Sequence, residues 1–259
     1  MSLESQIAAL VSAANNLTSQ VAGKMAGIDK AVKNAVEGIP REIERKMDRE
    51  VFVDQLNGDD NNPGTSANPV KTIRKAAQET PSGAAVSITL MSDYEFYDVR
   101  DNADFLNAYV RIRSFDVNSH KKIKFNRYNN DGRERIAGFG SRRGGLFNFY
   151  NVVLELPDMP QNPGTFGYNS TVITTHGGDD MGVPLSLRMN NVEIIVPDAA
   201  INNFWFMGNQ NGITLASVIN LTAPKAWIDR GRFFFGGVES EGVFVGRRIV
   251  SNPGILPSV

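Results

Sequence analysis

The residues here that could cleave a bond are carboxylates: Asp179, Asp180, Glu193, Asp229, Glu239 and Glu241 all fall in the second half of the chain. Glycoside hydrolysis needs two such groups facing each other across the scissile bond. Neighbours such as Asp179 and Asp180 point to opposite faces of an extended segment, so this pair reads as a solvated loop. No cysteine is present, and the two histidines, His120 and His176, stand far apart. Thiolate zinc sites, iron-sulfur clusters, disulfides and histidine-cluster metal motifs are therefore not expected. The run GFGSRRGG over 138–145 has Arg143 where a dinucleotide fingerprint needs its third glycine, and it leads into a strand. Neither a GxSxG elbow nor an HExxH helix occurs. These observations imply no catalytic residue, no metal and no cofactor, with a glycan-cleaving enzyme as the alternative.

Two groups suit binding. Residues 111–143 hold ten basic and three acidic side chains, among them Arg111, Arg113, Lys122, Lys124, Arg127, Arg133, Arg135, Arg142 and Arg143. Arginine forks match the carboxylates and phosphates of acidic polymers. Yet Arg111 and Arg113 alternate with Val110 and Ile112, the ordinary outward face of half-buried strands. The second group is NNFWFMGNQNG over 202–212, where Asn202, Asn203, Phe204 and Trp205 combine aromatic faces with amides. Such a cluster stacks on sugar rings and bonds hydroxyls, so these four residues with Arg142 and Arg143 form the candidate glycan-binding set.

The elements that must position these groups follow from composition and period. The chain has 259 residues, 41% hydrophobic, with a formal net charge of -1. That is enough apolar material for a sizeable core, and the near-zero charge argues against a dedicated nucleic-acid binder. No apolar run is long enough to span a membrane, and MSLESQIAAL lacks the basic region and apolar run of a secretory signal.

Over residues 1–48 the apolar positions Leu3, Ile7, Leu10, Ala14, Leu17 and Val21 alternate steps of four and three. A stripe that narrow suits a coiled-coil seam better than a globular face. Met25, Ile28, Val32, Val36 and Ile39 continue it in steps of four, four and three, which relaxes the supercoil. Gly38 and Pro40 are expected to break the helix, with Pro40 opening a short charged one.

Beyond residue 50 the period becomes two, as in Val86, Ile88, Leu90 and in Ile123, Phe125. One helix is expected within this part, capped by Asn68, opened by Pro69 and running through VKTIRKAAQET. An internal repeat aligns FNFYNVVLELPD at 147–158 with LRMNNVEIIVPD at 187–198, an offset of 40 that predicts stacked β coils.

Two passages carry a resemblance. MSLESQIAALVSAANNLTSQVAGKMAGIDKAV resembles the helical N-terminal segment of bacteriophage tail-fibre and appendage proteins. VFVDQLNGDDNNPGTSANPVKTIRKA is similar to the motif that leads into the β-helix of tail fibres and tailspikes, here through Asp54, Gly58, Asp59, Gly64, Pro69, Thr72, Ile73 and Ala76. The resemblance implies a mainly β protein: a coiled-coil virion-attachment segment at 1–48, a connector with capping helix at 49–84, and a right-handed parallel β-helix-like solenoid at 85–259. It further implies a homotrimer that sits in the virion after synthesis in the host bacterial cytoplasm. Its partners would be its own copies, other tail proteins and a host surface glycan, with no nucleic acid and no membrane insertion. Leu3, Ile7, Leu10, Ala14, Leu17, Val21, Met25 and Ile28 would serve oligomerisation and virion attachment. A connector binding only other virion proteins is the other non-enzymatic alternative.

Overall fold

The structure, a computed structural model, describes residues 2–130, 132–158, 171–175, 184–197, 206–208, 214–224 and 226–227, and four short strands beyond them. The chain divides into two compact units, Met1–Lys46 and Met47–Val259.

The first unit is one helix, α1 (Leu3–Met47), of 45 residues and so roughly 68 Å long at the usual rise. None of its residues is buried, and the stripe is open to solvent along its length, with Ile7 53% and Ile28 61% exposed. The expected break does not occur, because α1 runs through both Gly38 and Pro40. Proline costs a helix one backbone hydrogen bond, but here the carbonyl it strands belongs to exposed Val36 and is left to water.

In the second unit the strands are β1 (Asp48–Val53), β2 (Ala85–Leu90), β3 (Tyr94–Phe96), β4 (Ala103–Ser114) and β5 (Lys121–Phe125). Next come the hairpin β6 (Arg127–Asn130) and β7 (Arg133–Ile136), then the long β8 (Phe139–Glu155). β9 (Ile173–Thr175), β10 (Leu185–Ile195), β11 (Met207–Gly208) and β12 (Thr214–Thr222) follow. Four two-residue strands come last: β13 (Phe234–Phe235), β14 (Glu239–Ser240), β15 (Val243–Phe244) and β16 (Ile249–Val250). The main path runs β1-β2-β4-β8-β10-β12-β16, with β3, β5, β9, β11 and β13 attached beside it. These pairings are parallel, and the sheet is not closed.

The expected coiled coil and right-handed parallel β-helix-like solenoid are therefore corrected to one long helix and an open, mostly parallel sheet. A narrow stripe states only that a helix has one apolar edge. The only other α-helix bounded among the described residues, α2 (Ile73–Gln78), is six residues long and lies in the other unit. The solenoid expectation rested on one repeat and on the resemblance, and the repeat sets a single pairing. Leu185 sits beside Gly145 at an offset of 40, the spacing seen in the sequence. Elsewhere the offsets are 37 for Asp48 and Ala85, 24 for Ala85 and Tyr109, 37 for Tyr109 and Leu146, and 29 for Leu185 and Thr214. One repeat fixes which two strands are neighbours and leaves the rest of the sheet free.

β8 organises the sheet because it bends twice. Arg143, Gly144 and Gly145 have φ of 59°, 78° and 133°, and Asn151 has φ of 52°. Its first stretch pairs β9 and the start of β4, its middle pairs β4 and β10, and its end pairs β5 and β10. Alternate residues from these stretches meet in one core. Phe96 stacks on Phe125 with centroids 5.4 Å apart, and Phe139 reaches Phe96, Phe125, Phe147 and Phe149. Rings buried this fully contribute roughly 1.5–3 kcal/mol each by transfer from water.

The helix expected from Asn68 begins later, with Thr72 as N-cap accepting from the Lys75 N–H at 3.0 Å. Val70 is held by the sheet, its N–H donating to Phe52 and its carbonyl accepting from Asp54. Asp60 takes the N–H groups of Lys71 and Thr72 together with the Thr72 hydroxyl. With those backbone groups committed, helical bonding starts only at Ile73.

Candidate functional site

The lead-in motif is a self-contained piece of structure. Asp54 is buried, and its carboxylate accepts from the N–H groups of Leu56 and Asn57 and from the Asn57 amide. Burial alone raises the carboxyl pKa, but the donated hydrogen bonds from Asn57 and Ser92 outweigh it and hold Asp54 below the usual range. Asp59 is engaged with Asn61, and a Cβ on Gly58 would stand 2.4 Å from the Val70 carbonyl oxygen. Gly64 has φ of 78° and accepts from Phe52, and Pro69 accepts from Asn62. Ile73 and Ala76 are buried in the core. The Asp54 and Asp60 carboxylates and Asp59 Oδ1 thus accept hydrogen bonds from the loop's own donors.

Several members of the basic block are paired with carboxylates across strands. Lys124 sits opposite Glu95 on one side and Glu155 on the other, and its ammonium meets Glu95 at 2.8 Å. Lys122 reaches Glu155 at 2.6 Å, which raises its pKa. Arg127 pairs with Glu134 at 3.2 Å. Arg113 donates to Thr89 and to Glu50, and the Thr89 hydroxyl donates to Glu50 as well. Burial pushes Glu50 up, yet these two donors keep it below the usual carboxylate range. Arg111 lies over the Tyr109 ring, 5.8 Å from its centroid. These are the cross-strand pairs of an ordinary solvated sheet face.

Of the candidate glycan set, Arg142 is exposed and lies 3.8 Å from Asp104. Arg143 occupies the left-handed bend of β8. Asn202, Asn203, Phe204 and Trp205 fall outside the described residues, as do Asp179, Asp180, Asp229 and Glu241 and the side chain of Glu239. Glu193 is an exposed residue of β10. Leu3, Ile7, Leu10, Ala14, Leu17, Val21, Met25 and Ile28 lie on α1, all exposed.

Reading by sequence missed the work of the Asn-Val step within the repeat. Asn151, Asn191 and Asn220 share φ values of 52–55°, and the Asn191 amide donates to Asn151 Oδ1 at 2.8 Å. The same amide lies 3.2 Å from His120 Nε2. Asparagine tolerates the left-handed region, so these residues turn adjacent strands together. Recurrence of Asn before Val at the repeat offset was the available signal.

Set against known proteins, the chain matches no protein-family model, no curated protein sequence and no solved structure.

Proposed function

We propose that this chain is a structural protein of a phage virion, a tail fibre or similar appendage, attached through its N-terminal helix and presenting its β unit toward the host surface. The observation that carries the reading is α1: 45 residues with an apolar stripe open to solvent from Leu3 to Ile43. An exposed apolar edge of that length is costly in water and is relieved by association. The stripe joins copies of this chain, three being the number that the resemblance implies, and the assembled helices dock on other tail proteins. The lead-in loop supports the same reading, since its hydrogen bonds use the residues that carry the resemblance.

Immunogold labelling with antibody to the β unit, applied to tailed virions from a lysate expressing the chain, tests the placement. Gold at the tail is the expected result, and gold on no virion refutes the proposal. Light scattering of the purified chain tests assembly, with a monomer at micromolar concentration overturning it. Release of reducing ends from host capsule or lipopolysaccharide would decide for a depolymerising enzyme.

A further inference from the structure

Arg135 on β7 lacks the carboxylate partner that Arg113, Lys122, Lys124 and Arg127 have. Its Nε is buried and has no hydrogen-bond partner, and among the described residues no carboxylate forms an ion pair with it. A buried donor left without an acceptor is destabilising, and such groups in folded proteins call for an explanation. Arg135 lines a cleft of about 440 Å³, a size suited to a small organic ligand.

The other polar walls of the cleft come from separate parts of the β unit. Arg74 and Gln78 come from α2, Asn102 from the turn before β4, Tyr128 from β6 and Thr174 from β9. Arg74 is steadied by donating to the Arg100 carbonyl. Asn102 accepts from the Gly138 N–H through Oδ1, which leaves its amide end as a donor. One carboxylate, that of Asp104, lines the cleft, and it faces Arg142 at 3.8 Å. The walls thus hold two guanidinium groups against one carboxylate, with hydroxyl and amide groups and a tyrosine ring around them.

We propose that this cleft binds an acidic sugar, with its oxyanion, a carboxylate or a phosphate, on Arg135. A guanidinium accepts such a group through two N–H donors at once, and a turn of the side chain toward the ligand gives Nε the acceptor it lacks. The hydroxyls of the sugar find the amides of Gln78 and Asn102, and its apolar face finds the Tyr128 ring. The site does not rest on the virion reading, because a small acidic ligand would bind whatever the chain is attached to.

Calorimetric titration of the full chain with glucuronate, glucose 6-phosphate and glucose tests the inference. Saturable binding of an acidic sugar is expected, with glucose weaker by about tenfold or more, the usual loss for a missing charge-assisted hydrogen bond. Whichever acid binds tighter identifies the oxyanion. Arg135→Met should lose that preference without lowering the melting temperature, since it removes an unsatisfied donor and keeps the apolar stem, while Arg133→Ala, at an exposed arginine of the same strand that does not line the cleft, should retain it. Should Arg135→Met fail to fold, phenylglyoxal modification of the unaltered chain supplies the second measurement: protection of Arg135 by the acidic sugar and not by glucose supports the site. Equal binding of all three sugars, binding of none, or an Arg135→Met chain that still prefers the acid overturns it.

Discussion

Replacing Asn151 tests whether the second bend of β8 is held by the asparagine itself. The residue is 5% exposed, has φ of 52°, and accepts from the Asn191 amide at 2.8 Å. Alanine at a left-handed position costs about 1–2 kcal/mol, of which asparagine is largely spared. Loss of the hydrogen bond adds about 0.5–1.5 kcal/mol net. Asn151→Ala should therefore destabilise the β unit by about 2–3 kcal/mol. Asn151→Gly restores the backbone freedom and loses only the bond, together with about 0.5–1 kcal/mol of chain entropy, so it should be the milder change. In a cycle with Asn191→Ala, the two alanine changes should couple by about 1 kcal/mol, as residues in direct contact do. Urea denaturation at one fixed protein concentration measures all four species, which removes any contribution from association. A cost for Asn151→Ala below about 0.5 kcal/mol, a larger cost for glycine than for alanine, or strict additivity in the cycle would refute the reasoning.

Three further outcomes follow from the same geometry. Gly58→Ala should lower the melting temperature far more than Gly83→Ala, because the new Cβ at 58 meets the Val70 and Asp54 carbonyl oxygens at 2.4 and 2.5 Å, whereas at 83 it meets open space and only a φ of 80° opposes it. Glu50, Glu79 and Glu95 have lowered pKa values in the folded state, Glu50 and Glu79 because donated hydrogen bonds outweigh burial and Glu95 chiefly through Lys124. Their contribution is present above the ordinary glutamate pKa of 4.5 and is lost as pH falls through the depressed folded values, so urea midpoints should drop below that pH and Lys124→Met should flatten the drop. Gly23→Ala and Gly27→Ala add a Cβ in open space and should raise the helix signal in circular dichroism, by about 1 kcal/mol of propensity each. A fall in helicity or in assembled mass would mean instead that these glycines let a partner approach closely.

Local period alone determined much of this protein. Val86, Ile88 and Leu90, Val110 and Ile112, and Ile123 and Phe125 read as strands and lie buried in β2, β4 and β5, because alternation along an extended chain depends on nothing beyond neighbouring residues. The stripe of α1 was legible for the same reason, and the repeat at 147–158 and 187–198 placed β8 beside β10 in register. Whether Pro40 ends a helix was not legible, because it depends on whether the stranded carbonyl meets water or protein. The start of α2 was hidden too, since Asp60 and Phe52 claim its leading backbone groups from 11 to 18 residues away in sequence. The charged face shows the division most clearly. Sequence marks Arg111 and Arg113 as outward residues of a strand, while only the folded sheet brings Glu50 to Arg113 across 63 positions, sets Glu95 beside Lys124 and leaves the Nε of Arg135 at a cleft with no acceptor. Direction along a strand is a local property of the backbone, whereas the identity of a partner depends on where a distant strand lies, and that is settled by the packing of the whole core.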